Sequence, residues 1–521
     1  MKKKLITWLA GLSVIVATTS LLAGCHEMQE PPKQTEPSTQ TDTDTEADTE
    51  EHVHAFGSWT VATAATCTEN GTEMRTCPCG AKEERLLMAP GHNFVDEVCT
   101  RCGAQYSKGL EFTSSGDGTC YVSGRGTCKD TDIWISPVSP DGDSVTSIGA
   151  YAFRDCDGLT SINIPDSVTN ICAYAFHYCK GLTSINIPDS VTSIGAYAFY
   201  NTGYYSDNSN WEDGVLYIGK HLIQAKVTIS GSYAIKPGTL TIANSAFSGG
   251  DLASVTISDS VTSISAYAFS GCKGLTSIII PSSVTSINDG AFCDCDGLTS
   301  IIIPDSVTGI GYEAFRDCDG LTSINIPDSV TSIGNDAFRH CGGLTSVNIG
   351  NSVTSIGNDA FRNCDDLTSV NIGNSVTSIG NDTFCDCDSL TSITIPDSVI
   401  GIGDGAFCDC NGLTSVSIGN SVTSIGNEAF RYCDGLASIT IPDSVTSIGD
   451  WAFRNCTSLT NITIPDSVTS IGAVAFRDCT NLTDVSFNGT MAQWNAIEIA
   501  SNWADDSGIH TIHCTDGDIQ I

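Results

Sequence analysis

Among 521 residues there are 25 cysteines, and their spacing is the first sign of chemistry. Cys67, Cys77, Cys79, Cys99 and Cys102 share the segment 52–106 with His52, His54 and His92. Cys99-x-x-Cys102-Gly has the turn that directs two thiolates at one ion, half of a zinc knuckle. Cys77-x-Cys79 is one residue shorter than the usual spacing, so His54 or His92 is the candidate that completes a structural zinc site. Outside a cell, disulfides compete for the same thiols. A module of about 50 residues with few large apolar side chains needs a metal or a cross-link to hold its fold. Zinc, disulfides and free thiols all stay open for this segment.

A second set of cysteines is periodic. Twelve stand three residues after a recurring phenylalanine, from Cys156 and Cys179 to Cys456 and Cys479. In a stack of coils such a column has neighbours about 5 Å apart. Parallel Cβ vectors then keep the sulfurs too far apart to bridge without distortion. The expected role is a small buried apolar side chain, with a metal wire or a run of disulfides as the alternative. Cys293, Cys385 and Cys408 instead follow the phenylalanine directly, where other coils carry Arg316, Arg339 and Arg362, and are expected to be exposed. Cys385 and Cys408 lie one coil apart and form a candidate disulfide; Cys120 and Cys128 form another.

Carboxylates make a further column, Asp166, Asp189, Asp305, Asp328, Asp397, Asp443 and Asp466. Like charges ~5 Å apart in water repel by about 0.8 kcal/mol per pair, which weak calcium binding would relieve. Solvated, screened acids are the leading expectation, because no loop of the form D-x-[DN]-x-[DN]-G closes on a glutamate. Catalytic motifs are lacking too: there is no G-x-S-x-G, H-E-x-x-H or G-x-x-x-x-G-K-[ST], and no histidine recurs at a repeat position. Near-identical coils offer no unique pocket for a base, a nucleophile and oxyanion donors, so an enzyme is not expected. The net charge of -37, from 60 acids against 23 bases, repels phosphate backbones and excludes nucleic acid as a partner.

The elements that position these columns follow from the period. Phe153, Phe176 and Phe199 are 23 residues apart, and the same step runs from Phe269 through Phe292, Phe315 and onward to Phe476. A fixed period in the twenties signals a solenoid. In the coil from Leu321 to Cys341 the inward positions are Leu321, Ile324, Ile326, Val330, Ile333, Ala337, Phe338 and Cys341. L-x-x-I-x-I reads as a short strand, closed by Pro327, which has no N–H for a ladder. Asp328-Ser329 is a polar turn, "VTSIG" is a second extended piece, and "NDAFRHC" is compact, a single helical turn or less. One coil cannot offset its own ordering entropy; stacked coils share hydrogen bonds and bury each other's edges.

The period breaks between Phe199 and Phe247, a step of 48. This stretch holds Tyr204, Tyr205 and Trp211, and "YIGKHLI" reads as a hairpin around Gly219-Lys220. Its aromatics either form a binding surface or pack onto the solenoid. On the outward strand position, usually Asn, Thr or Ser, Ile279 and Ile302 make an apolar spot on adjacent coils. These five residues are the candidate contact region.

"LTSITIPDSVTSIG" followed by "AFRNC", seen at Leu390–Pro396, Leu436–Gly449 and Ala452–Cys456, resembles the BspA-like subfamily of bacterial surface leucine-rich-repeat proteins. The resemblance runs from about Gly109 to the C-terminus. It implies an α/β repeat solenoid, a right-handed superhelix of short strands and short helical turns, displayed on a surface. It also implies adhesion to host or microbial partners. The N-terminus fits export: Lys2–Lys4, an apolar Leu5–Leu22, then Leu22-Ala23-Gly24-Cys25, which resembles a bacterial lipobox and implies lipidation at Cys25; an ordinary secretory signal is the alternative. The expected organisation is a signal peptide at 1–25, a disordered acidic linker at 26–51, the Cys/His-rich module at 52–106 and an N-terminal cap at 109–140. The solenoid follows at 141–486, with an irregular insertion at 200–246, and a C-terminal cap at 487–521. The expected function is non-catalytic binding of an extracellular protein or glycan by a chain held to the bacterial membrane through its lipid anchor only. Glycan capture or a cell-envelope accessory role is the alternative.

Overall fold

A computed structural model describes residues 55–65, 71–87, 94–95, 98–101 and 105–521. The signal segment with Cys25, the acidic linker, His54, His92, Cys67 and Cys102 lie outside the described residues. Two compact units divide the chain, Met1–Pro90 and Gly91–Ile521. That boundary falls inside the segment 52–106, so Cys77 and Cys79 belong to the first unit and Cys99 to the second.

The first unit contains an antiparallel sheet of three strands, Thr60–Thr63, Gly71–Thr76 and Lys82–Leu87. The Arg75 and Arg85 guanidinium groups sit 4.7 and 4.4 Å from the Trp59 ring. Each pairs across the strands, Arg75 with Glu83 at 2.5 Å and Arg85 with Glu73 at 2.7 Å. Cys77 to Gly80 is the connecting turn, in which the Gly80 N–H donates to the Cys77 carbonyl at 2.8 Å.

The second unit is the solenoid. Strands after the leucine, such as Ser323–Ile326, pair in parallel one coil on, Ile324 with Val347 and Asn325 with Asn348. The second pieces, such as Ser332–Ile333, form a parallel sheet of eleven strands from Ser263–Ile264 to Glu498–Ile499. All eight inward positions of the Leu321–Cys341 coil are buried. Their phenylalanines stack ring on ring, with centroids 5.1 to 5.5 Å apart from Phe247 to Phe476.

The third side of each coil is a run of turns; among the described residues the only α-helices are Gly203–Ser206 and Met491–Trp494, both off the regular period. The expected helical turn does not form because residues two before and two after each phenylalanine take left-handed backbone angles. Around Phe338 these are Asp336 at φ 54° and His340 at φ 58°. A left-handed residue stops helix propagation and turns its N–H along the stack. Asp336, Phe338 and His340 accordingly donate to the Asn358, Ala360 and Arg362 carbonyls of the next coil at 2.9, 2.8 and 2.8 Å. The turns thus carry a ladder as continuous as the strands.

The hairpin of the insertion forms as expected, Val215–Ile218 against His221–Ala225 with Ile218 opposite His221. It divides the core. Leu216, Ile218 and Ile223 pack with the N-terminal coils, and Val215, Leu222 and Ala225 with the C-terminal coils. At the start of the stack, the antiparallel strand Glu111–Ser114 closes the edge of Thr119–Gly124. At its end Trp503 stands edge-on to Phe476 at 5.7 Å, and the antiparallel hairpin Thr511–Cys514/Gly517–Gln520 closes the other sheet. Covered edges of this kind block end-to-end association.

Candidate ligand-binding surface

The position two before each phenylalanine projects from the turn face. In the first three coils it is tyrosine: Tyr151, Tyr174 and Tyr197 stack with centroids 5.1 and 5.6 Å apart. Tyr151 and Tyr197 remain 51% and 44% exposed. The column after the phenylalanine adds His177 and Tyr200, stacked at 5.6 Å. This aromatic strip meets the insertion, where Tyr200 and Tyr205 approach to 5.0 Å. Beyond the insertion the column two before phenylalanine keeps Tyr267 and Trp451 but turns acidic over several coils. Glu313, Asp336 and Asp359 each pair with the arginine three residues on, at 2.5, 2.9 and 3.0 Å.

A groove of about 430 Å³ lies where strip and insertion join, walled by Tyr197, Tyr200 and Tyr205 and by Gln224, Lys226 and the exposed Val227. A smaller adjoining hollow of about 230 Å³ shares Tyr205 and Lys226 and reaches Trp211. The Lys226 ammonium lies 5.0 Å from the Trp211 ring. Flat rings, an amide and a cation in one hollow suit stacking plus hydrogen bonding.

Of the residues expected here, Tyr205 lines the groove, while Tyr204 and Trp211 are half-buried in the scaffold. The Tyr204 hydroxyl donates to the Tyr217 carbonyl at 3.1 Å and the Trp211 Nε1–H to the Tyr205 carbonyl at 2.8 Å. Burial raises the Tyr204 and Tyr205 pKa values above the ordinary phenol range. Thr202 caps the short helix that presents both tyrosines, accepting from the Tyr205 N–H at 3.0 Å. Ile279 and Ile302 are 64% and 83% exposed on successive coils of the first-strand face, apart from the groove residues. Tyr200 belongs to the aromatic stretch that the broken period marks, whereas Tyr197 and Lys226 are not singled out by the sequence; aligning the coils on phenylalanine isolates the variable column that holds Tyr197.

The cysteines divide by column. Eleven thiols, Cys179 and then Cys272 through Cys479, donate to the carbonyl of the preceding coil's phenylalanine, as Cys341 does to Phe315 at 3.1 Å. They are buried and also act as hydrogen-bond donors. Cys293, Cys385 and Cys408 are buried, contrary to the expectation of exposure. The cysteine side chain is too short to reach the solvent that the longer Arg316, Arg339 and Arg362 side chains reach at the same position. Cys120, Cys128, Cys385 and Cys408 carry free thiols. The Asp column joins the backbone in places: Asp328 and Asp397 accept from the Asn351 and Asn420 N–H groups of the next coil at 2.6 and 2.8 Å. Among the described residues two groups gather three potential metal ligands within 4.8 Å, and both contain cysteine.

Among the described residues, stacked coils with one broken period and an aromatic groove beside it define a leucine-rich-repeat solenoid. The family described as a BspA type leucine rich repeat region (6 copies) matches residues 146–276, 240–368 and 400–502. The chain belongs to this BspA-type leucine-rich-repeat family. It is 30% identical to a leucine-rich repeat protein from Bacteroides ovatus, over 75% of this chain and 97% of that one, with a TM-score of 0.42. It is 28% identical to a leucine rich cell surface protein from Faecalibacterium prausnitzii, over 76% and 97%, with a TM-score of 0.35. No curated protein matches the chain.

Proposed function

We propose that this chain is an exported, non-catalytic binding protein, an adhesin held at the bacterial surface by lipid on Cys25, whose partner is an extracellular protein. The observation that carries the reading is the aromatic strip from Tyr151 to Tyr200 running into the groove at Tyr205. Exposed tyrosines and tryptophans concentrate binding energy where they anchor a partner. The Ile279–Ile302 spot supplies a second apolar contact, and the apolar Leu5–Leu22 run ending in Leu22-Ala23-Gly24-Cys25 supports display outside the cell. Several anchored copies raise avidity through effective concentration. A second reading, glycan capture, is favoured by the groove itself, where Tyr200 and Tyr205 stand beside Gln224 and Lys226 as stacking and polar groups do around a sugar.

The test uses residues 26–521 against immobilised matrix proteins, mucins and a glycan array. Saturable protein binding is expected, weakened at least about tenfold, or ~1.4 kcal/mol, by the pair Tyr197→Ala/Tyr200→Ala. Ile279→Asp/Ile302→Asp tests the second spot. Binding confined to glycans and lost in the tyrosine pair favours the second reading; a folded protein that binds nothing overturns both.

A further inference from the structure

Directly after the ladder phenylalanine, regular coils carry Arg316, Arg339, Arg362, Arg431, Arg454 and Arg477. Two adjacent coils between Arg362 and Arg431 carry Cys385 and Cys408 instead. Both thiols are buried, and each is followed by an aspartate. Cys385 Sγ lies 3.4 Å from Asp386 Oδ2, and Cys408 Sγ 2.9 Å from Asp409 Oδ2. The two sulfurs and a carboxylate oxygen of Asp409 all lie within 4.8 Å of one another. We propose that Cys385, Cys408 and Asp409 form a binding site for one thiophilic divalent ion of the zinc class, reached from the turn face of the solenoid.

The donor set fits the ion. Zinc takes thiolate sulfur at about 2.3 Å and carboxylate oxygen at about 2.0–2.2 Å in a tetrahedron, which sets two ligand sulfurs about 3.8 Å apart. In parallel, in-register coils the two Cβ vectors point the same way, which disfavours the geometry of a disulfide, whereas an ion can sit between sulfurs that already lie within 4.8 Å of one another. Asp386, with its Oδ2 3.4 Å from Cys385 Sγ, or a water is left to take the fourth position. On binding, each thiol exchanges its proton for a bond to the ion, so one divalent ion enters and two protons leave. Two thiolates and one carboxylate then hold a net charge of minus one around the ion, with Arg362 Nε 3.8 Å from Asp386 Oδ2 to offset it. The other such cluster, Cys293 with Asp294 and Asp317, has a single thiol and lacks the paired sulfurs that favour zinc over a hard cation.

The experiment uses the full chain, reduced and desalted without oxygen, then dialysed against zinc or cadmium, with metal counted by mass spectrometry. The comparison is Cys385→Arg/Cys408→Arg, which installs the residue the flanking coils carry, and Cys385→Ser/Cys408→Ser as a second variant, each checked for native circular dichroism. One fewer ion per chain is expected in both, with a weaker thiolate-to-cadmium charge-transfer band. Asp409→Asn should lower zinc affinity about tenfold while leaving the saturated count unchanged. Equal metal content in wild type and folded variants overturns the proposal. So does a Cys385–Cys408 cross-linked peptide in protein isolated without added oxidant.

Discussion

Cys156 should be the most reactive thiol of the regular cysteine column, and the structure sets by how much. It opens the column, half-exposed, while Cys179 one coil on is buried and donates to the Phe153 carbonyl at 2.8 Å. Once Cys156 ionises, the single Cys179 S–H serves the thiolate in place of the Phe153 carbonyl, and this bond, joined by Arg125, brings the Cys156 thiol down to about 6 from an ordinary 9.0. Burial pushes Cys341 up to about 12. At pH 7 these values give thiolate fractions of about 0.9 and about 10⁻⁵. The more basic thiolate is the better nucleophile, with a Brønsted slope of about 0.4–0.5, which returns roughly 500-fold of that difference. The net advantage of Cys156 is therefore about 200-fold before the closed surface over Cys341 is counted. Native alkylation with iodoacetamide, read peptide by peptide in a mass spectrometer, measures it. The Cys156 rate should fall about tenfold from pH 7 to pH 5, because deprotonation near 6 controls it. A rate within tenfold of Cys341, or a pH midpoint near 9, would refute the assignment of the low thiol to this position.

Phe361 is fully buried between Phe338 and Phe384, with centroids 5.2 and 5.4 Å away. Phe361→Ala should cost about 3–5 kcal/mol and Phe361→Leu about 1–2, read from urea unfolding; equal losses would deny the stacked rings a role. The His221 ring is buried with no well-aligned partner for either nitrogen, and burial lowers its pKa below 6.5. The unfolded chain then binds the proton more readily, so stability holds above pH 6.5 and declines as pH falls below it. His221→Leu should flatten that slope in thermal melts between pH 5 and 7, and an unchanged slope places the titration elsewhere. Gly290 takes φ +58°, and a Cβ there would meet the Tyr267 ring at 2.2 Å, whereas at Gly309 the nearest atom is Ser332 Oγ at 3.9 Å. Gly290→Ala should lower stability by at least ~1 kcal/mol, and Gly309→Ser, the residue neighbouring coils use, should be neutral within about 0.5 kcal/mol.

The repeat and its core were legible because an apolar residue lost from one column would leave a cavity between two coils. The eight inward positions therefore recur visibly, and every one is buried at Leu321–Cys341. The shape of the third side was not legible. Its left-handed positions are filled by Asp336, Glu428, Tyr174 and Trp451 as readily as by Gly405, so no glycine signature marks them and the segment reads as helical. A further ladder escaped for a similar reason: Asn335, Asn358 and Asn381 accept from the backbone N–H of the next coil at 2.9, 2.8 and 3.0 Å. These side chains look like ordinary polar surface until the coils are stacked. The groove was half legible. Its aromatic insertion stood out, but which rings face solvent depends on Tyr204 and Trp211 turning their polar ends inward.

Regular coils present the same few side chains every 23 residues, which gives reach but little discrimination. Under the proposed binding function, specificity needs a place where one coil differs from the next. The insertion supplies it at the least structural cost, because its hairpin sends alternate side chains into the two cores it separates: Leu216, Ile218 and Ile223 into one, Val215, Leu222 and Ala225 into the other. The ring stack is interrupted there, between Phe199 and Phe247, yet burial on both sides of the hairpin continues. Residues on the turn face of that break are released from the repeat pattern, and the tyrosines, Gln224 and Lys226 gather at that point. The Cys385–Cys408 pair follows the same logic on a smaller scale: two adjacent coils depart from arginine at one position, the fold is unchanged, and two thiols gather with a carboxylate, where the Cys293 coil offers a single thiol.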